Sequence, residues 1–230
     1  MTSIKTGLLA SVAFLAFASA ANAADPILPP PVIPPAAVAP LAHDWTGFYA
    51  GINAGYGFGE VYNDAGVTEF DRVNGLIGGV QVGANAQFDM FVLGVEGDIQ
   101  LSGMSQTLQV QDPNVTAAVI LLDATASLEY FGTVRARAGV AMDNVMPYLT
   151  GGFAFGGGKL DIEGYGSDTA NHWGWTVGGG VEIAMDDSIS FKGEYLYTDL
   201  GQSEYTIPGI GSDDLGLRFH TVRAGVNFHF

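Results

Sequence analysis

The sequence of 230 residues contains no cysteine and only 8 basic residues, set against 24 acidic ones. Without cysteine there is no disulfide scaffold, no thiol nucleophile and no zinc site built on sulfur. A formal net charge of −16 repels phosphate backbones and excludes nucleic acid as a partner. Charged residues make up 14 % of the chain, against about 25 % in an ordinary soluble domain. Long apolar runs are missing too, because glycine or a polar residue interrupts every apolar stretch after residue 23. Abundance lies elsewhere, in 33 glycines and a hydrophobic fraction of 48 %. That fraction excludes general disorder. With a mean hydropathy of +0.25 and little charge, it points to a membrane.

The first residues give an address. Met1 to Gly7 carries Lys5, Leu8 to Ala20 is apolar, and Ala21-Asn22-Ala23 forms an A-x-A cleavage site. Residues 1–23 therefore read as a secretory signal peptide; the apolar run is too short for the ~20 residues of a spanning helix. Residues 24–44 follow as a Pro-rich periplasmic leader, with seven of the ten prolines between positions 26 and 40. Such a segment is extended or flexible, and either a simple tether or a spacer reaching the cell wall.

From Trp45 to Phe230 one pattern recurs eight times: apolar residues alternate with glycine and polar residues, then a turn or loop follows. A period of two is the signature of a strand. Phe48, Ile52, Tyr56 and Phe58 share a face in the first strand, and Phe91, Leu93, Val95, Ile99 and Leu101 in the third. Leu128, Tyr130, Val134 and Ala136 do so in the fourth, where Phe131 breaks the polar face, and Trp173, Trp175, Val177 and Val181 in the sixth. The connections at Asp89-Met90, Met142 to Met146 and Met185 to Ser188 are short; those near 59–72, 103–123, 157–171 and 199–218 read as long loops. An even number of strands with alternating short turns and long loops predicts an all-β fold, an eight-stranded antiparallel transmembrane β-barrel over residues 45–230. A soluble β-sandwich shares the periodicity but would present charge outside, whereas here the polar face is glycine-rich and suits a narrow lumen. Aromatics cluster at two heights, expected as interfacial girdles. Trp45, Phe48, Phe88, Phe91, Phe191, Phe228 and Phe230 fall near the short turns; Tyr56, Phe58, Tyr130, Trp173, Trp175, Tyr195, Tyr197 and Phe219 fall toward the long loops.

The polar face carries Arg135, Arg137, Lys192 and Arg223 together with Glu96, Asp98, Glu182 and Glu194. Unpaired charge inside a narrow barrel is costly, so these residues are expected to pair. Counted from the short turns they fall in one layer roughly 10–20 Å above that rim. Glu96 or Asp98 should meet Arg135 or Arg137, and Glu194 should meet Arg223, in a network that plugs the lumen or simply fills it. Catalytic chemistry is not evident. The histidines are His43, His172, His220 and His229, and no G-x-S-x-G occurs. The loop aspartates lack the D-x-D-x-D-G spacing of a calcium site. The chain reads as a non-enzyme without metal or cofactor; His172 and His220 as haem ligands are a weaker reading than ordinary hydrogen-bonded histidines.

Several stretches carry a resemblance. WTGFYAG at Trp45 to Gly51, LGVEGD at Leu93 to Asp98, FGTVRARAG at Phe131 to Gly139 and PYLTGGFAFG at Pro147 to Gly156 are four of them. GWTVGGGVE at Gly174 to Glu182, EYLYTDLG at Glu194 to Gly201 and the terminal VRAGVNFHF complete the set. The chain resembles the small outer-membrane immunogenic protein family of Gram-negative bacteria, opacity-type porin-like barrels similar to the OmpA membrane domain. The resemblance implies an abundant surface protein of the cell outer membrane supporting envelope integrity, with a narrow porin or haemin-binding barrel as the alternative. Its implied partners are outer-membrane lipid and lipopolysaccharide, and the barrel-assembly machinery reading a C-terminal signal at Val226, Phe228 and Phe230. One departure is Val115 to Leu122, unusually apolar for an exposed loop and suited to extending a strand or binding a partner.

Cleavage after Ala23 makes Ala24-Asp25-Pro26 the mature N-terminus. The intact mass of protein extracted from outer membranes is expected to lack residues 1–23; a mass that includes them would defeat the assignment.

Overall fold

The computed structural model describes residues 43–63, 66–111, 121–207 and 211–230. The signal peptide, nearly all of the Pro-rich leader and positions 115–120 of the apolar stretch lie outside them. Eight strands follow in order: β1 (Gly47–Asn63), β2 (Thr68–Phe88), β3 (Phe91–Gln111), β4 (Leu121–Val140), β5 (Val145–Ile162), β6 (Gly166–Ala184), β7 (Ile189–Ile207) and β8 (Gly211–His229). Each pairs antiparallel with the next, and β8 returns to β1 from Tyr49↔His229 to Asn63↔Leu215, so the sheet closes into a barrel. Closure leaves no unpaired backbone edge, which is what a lipid environment demands. The terminal residue joins the seam, its amide donating to the Phe48 carbonyl at 2.9 Å.

Strict alternation sorts the side chains. On β3, Phe91, Leu93, Val95, Ile99 and Leu101 face out and are exposed, while Val92, Glu96, Asp98 and Gln100 face in and are buried. At ~3.4 Å per residue and a tilt near 40°, the outward run Phe91 to Leu101 spans about 25 Å along the barrel axis, the height of an outer-membrane apolar band. Beyond it the outward face becomes polar, with Thr107, Gln109 and Gln111 exposed.

The connections differ from their sequence reading. β2 and β3 each run for 21 residues, about twice the 9–11 needed to cross. The stretches near 59–72, 103–123, 157–171 and 199–218 are mostly paired strand, leaving connections of only 64–67, 112–120, 163–165 and 208–210. Their Gly, Asp, Ser and Thr content mimics loops, yet the inward apolar period survives at Val61, Phe70, Leu215 and Leu217. Leu121 and Leu122, the end of the apolar stretch, begin β4.

Parity corrects three aromatic and apolar assignments. Trp45 does not join the short-turn girdle; it shares the inward phase of Tyr49 and is fully buried. Phe219 shares the phase of Thr221 and Arg223 and is likewise fully buried, not interfacial. Leu128 was expected outward with Tyr130, but an irregularity between them in the β4–β5 register turns Leu128 inward. The interior is therefore layered. Leu128, Phe131 and Phe219 join Val73, Met104 and Leu200 in an apolar cluster toward the hairpin end, and Trp45, Val92, Met146, Tyr148 and Ala184 form a second cluster near the short turns.

Glycine matters most where strands press together. A Cβ on Gly174 would overlap the Asp199 carbonyl, beside the β7–β8 irregularity that holds Gly201 at φ +65°. Gly193, one strand over and facing outward, has nothing within 4 Å of such a Cβ. Gly174→Ala is expected to cost about 1–3 kcal/mol through overpacking, and Gly193→Ala almost nothing. Melting of the folded, heat-modifiable band on gels checks the contrast; equal melting would refute the crowding argument.

Candidate functional site

Between the two apolar clusters lie the eight charged residues singled out above, and the structure brings all of them together. β3 supplies Glu96 and Asp98, β4 supplies Arg135 and Arg137, β6 supplies Glu182, β7 supplies Lys192 and Glu194, and β8 supplies Arg223. Each is buried. Period-two alternation puts them all inside, and neighbouring registers set them level: Glu96 pairs with Arg135, Glu182 with Lys192 and Glu194 with Arg223.

Arg135 is the hub. Its guanidinium bonds Glu96, reaches Asp98 at 3.1 Å and Glu194 at 2.9 Å, and its Nε donates to Thr133 Oγ1 at 2.9 Å. Arg223 contacts Glu194 at 2.6 Å and Asp98 at 3.2 Å. Arg137 meets Glu182 at 2.6 Å, lies 4.1 Å over the Tyr148 ring and donates to Tyr49 Oη at 2.8 Å. Lys192 Nζ donates to Glu96 at 2.7 Å. In a ring of eight, β7 stands opposite β3 and β8 opposite β4. The Lys192–Glu96 pair therefore joins opposite sides of the barrel, and the Arg223–Asp98 pair crosses three strand steps, from β8 to β3. Four cations face four carboxylates, so the layer is charge-balanced.

Neutral donors complete it. Tyr49 donates to Glu96 at 2.6 Å and Tyr148 to Glu194 at 2.9 Å. Both rings lie across the lumen because Gly83 and Gly180 face them, where a Cβ would collide with each phenol. Sequence reasoning missed these two tyrosines. The available signal was a large aromatic on the polar face opposite glycine.

A serine–histidine contact was also missed. Ser190 Oγ lies 2.9 Å from His229 Nε2 and 2.5 Å from Glu182 Oε1. It is not a triad. The carboxylate approaches the same imidazole nitrogen, at 3.5 Å, rather than orienting the other one, and Ser190 is fully buried. His172 and His220 do not converge. His172 points inward, its Nε2 2.7 Å from Tyr205 Oη, while His220 lies outside the wall with Nδ1 2.6 Å from Tyr195 Oη. Among the described residues no group of three His, Asp or Glu side chains is placed to hold a metal ion. Of the C-terminal residues, Phe228 and Phe230 face outward and exposed, and Val226 lies half-buried above them on the same face.

A closed eight-stranded ring with an apolar outer belt, interfacial aromatics and a packed interior is the architecture of an outer-membrane β-barrel protein. Residues 10–230 match the family described as outer membrane protein beta-barrel domain, and the chain belongs to that family. The 31 kDa outer-membrane immunogenic protein of Brucella melitensis is 36 % identical, with 99 % of this chain and 100 % of that one covered. The 25 kDa outer-membrane immunogenic protein of Brucella abortus is 33 % identical, with 100 % of both covered. The crystal structure of Neisserial surface protein A (NspA) superposes with a TM-score of 0.46 at 16 % identity, over 80 % of this chain and 98 % of that one. The protein resides in the cell outer membrane.

Removing one partner from a buried ionic layer strands the others in a low dielectric, at about 3–5 kcal/mol. Arg135→Ala is expected to lose that much. Lys159→Ala, which breaks an exposed 3.9 Å contact with Asp161, should change stability by less than about 1 kcal/mol. Denaturant unfolding in detergent micelles checks both, and equal losses would refute the network as a structural element.

Proposed function

We propose that this outer-membrane barrel is a structural, surface-exposed envelope protein whose lumen does not conduct and which carries out no catalysis. The single observation behind the reading is the cross-barrel ionic layer, in which the Lys192–Glu96 contact joins opposite walls and the Arg223–Asp98 contact reaches from β8 to β3. Ions crossing there would have to separate charges held at hydrogen-bond distance, with an apolar cluster above and another below. The same layer ties five of the eight strands to one another, which suits a structural element of the envelope. In this reading the hairpins that rise above the apolar belt face the exterior, both chain ends lie in the periplasm, and the Pro-rich leader reaches toward the cell wall. Val226, Phe228 and Phe230 would serve as the segment read by the assembly machinery.

Single-channel recording on the refolded protein tests the reading. The wild type is expected to show no defined conductance, while Arg135→Ala combined with Arg137→Ala should admit water and give small, irregular openings. A stable, well-defined channel in the unmutated protein would overturn it and establish a narrow porin instead.

A further inference from the structure

The outer wall formed by β6, β7, β8, β1 and β2 carries two depressions, one above the other. The lower one, about 930 Å³, lies inside the apolar belt. Its floor is made of small outward-facing residues, Ala54, Gly179, Gly193 and Ala224, and it is flanked by Leu76 and Val222. The upper one, about 450 Å³, contains Phe58, Glu60, Arg72, Tyr197, Arg218 and His220. The two are neighbours along the same strands. Tyr56, Tyr195 and Val222 border the lower depression, and Phe58, Tyr197 and His220, two residues along the same strands, border the upper. Both volumes fall within the usual ~300–1,000 Å³ of ligand sites.

The chemistry changes from one half to the other. Among the described residues only three cations lie outside the lumen: Arg72, Lys159 and Arg218. Two of them line the upper depression. Arg218 is positioned by Glu60, which its Nε meets at 2.5 Å, and by the Tyr62 ring at 4.9 Å. Arg72 is held 3.6 Å from Asp71 with 78 % of its side chain exposed. Between the arginines and the lower trench lies a flat aromatic floor, where His220 stacks on Phe58 at 5.3 Å and meets Tyr197 at 5.0 Å.

We propose that this two-part groove binds a phosphorylated, acylated sugar lipid of the outer leaflet. The phosphate meets Arg72 and Arg218, the sugar ring lies on the His220–Phe58 floor, and an acyl chain occupies the glycine-floored trench. Glu60 and Asp71, which would repel a bare phosphate, accept the hydroxyl and amide hydrogens of an acylated amino sugar. A glycerophospholipid offers no ring for the aromatic floor and fewer donors for the two carboxylates. The height of the groove, spanning the top of the belt, is where such a headgroup meets its chains. The assignment to the outer leaflet rests on the proposed orientation with the hairpins outside.

The test uses the mature chain refolded into phosphatidylcholine vesicles containing bisphosphorylated diglucosamine lipid A, its dephosphorylated form, or phosphatidylglycerol. Melting of the heat-modifiable band is followed against the mole fraction of added lipid. Lipid A should raise the melting temperature at the lowest mole fraction. Arg72→Ser with Arg218→Ser should need about tenfold more of it, the loss of charge-assisted hydrogen bonds. Gly193→Phe, which fills open space without touching the fold, should show a comparable loss. All variants should melt like the wild type in phosphatidylcholine alone. Should the double variant fail to fold, Arg72→Ser alone supplies the comparison. An equal rise with dephosphorylated lipid A or with phosphatidylglycerol, or wild-type response in the arginine or Gly193→Phe variants, would overturn the proposal. Vesicles carry the lipid in both leaflets, so this outcome is independent of orientation. An epitope tag at Gly211 that labels only permeabilised cells would overturn the orientation and the outer-leaflet assignment, leaving the binding measurement to be judged on its own result.

Discussion

The barrel depends on one requirement, that charge buried in its lumen must balance. Four cations and four carboxylates sit where burial would cost an isolated ion several kcal/mol even after relaxation. No single pair is self-sufficient. Arg135 serves three carboxylates, and Glu194 accepts from Arg135, Arg223 and Tyr148 at once. The unit of stability is thus the layer, and its members come from five strands separated by up to 127 positions in the chain, from Glu96 to Arg223. Such contacts form only when the ring has closed, so the layer rewards closure and penalises a slipped register. A slip by one residue on any of these strands would send a lumen charge into lipid.

The same layer explains why the interior changes character along its axis. Electrostatic attraction strengthens when water is excluded, and exclusion is what the apolar clusters on either side provide. Phe131 and Phe219 pack edge to face at 5.1 Å above the charges, and Trp45 closes the short-turn end against His43 at 4.6 Å. Space is the second limit. An eight-stranded ring is just wide enough for side chains to fill. Long side chains that cross it need glycine opposite, and Gly83 and Gly180 supply this for Tyr49 and Tyr148. Glycines on the inward face thus make room for bulky groups that share a narrow tube.

The strand count, closure and lumen charges were legible because each depends on period-two alternation, which a single chain displays openly. Three features were not. The extension of the strands past the belt was masked by loop-like composition, although the inward phase of Leu215 and Leu217 continues through it. The inversion at Leu128 follows from an irregularity in pairing with β5, a property of two strands that one strand does not reveal. Trp45 and Phe219 were misplaced because aromatic residues were grouped by height alone; the phase of each already matched that of its inward neighbours, Tyr49 and Arg223. Of the lumen site, the ionic residues are marked by their charge, whereas the tyrosines completing it are marked only by a large aromatic on the polar face opposite glycine, a signal that depends on knowing which glycine lies across from it.

Positive charge is scarce in this acidic chain, and its placement links the two sides of the wall. Four of the seven described cations are committed to the interior, where they neutralise carboxylates that would otherwise repel across the lumen. This leaves the exterior strongly acidic above the belt, with Glu69, Asp161, Asp213 and Asp214 exposed or nearly so. A surface of that kind repels an anionic leaflet. Contact with such a leaflet is then favourable only where a remaining cation is fixed at the membrane boundary. Arg72 on β2 and Arg218 on β8 stand at that boundary on the two strands that flank β1, above a trench of small residues that leaves the wall open to a hydrocarbon chain. The interior's demand for cations thus leaves two of the three described exterior cations on one side of the barrel and Lys159 alone on β5 across from it, so the protein would meet the membrane around it asymmetrically.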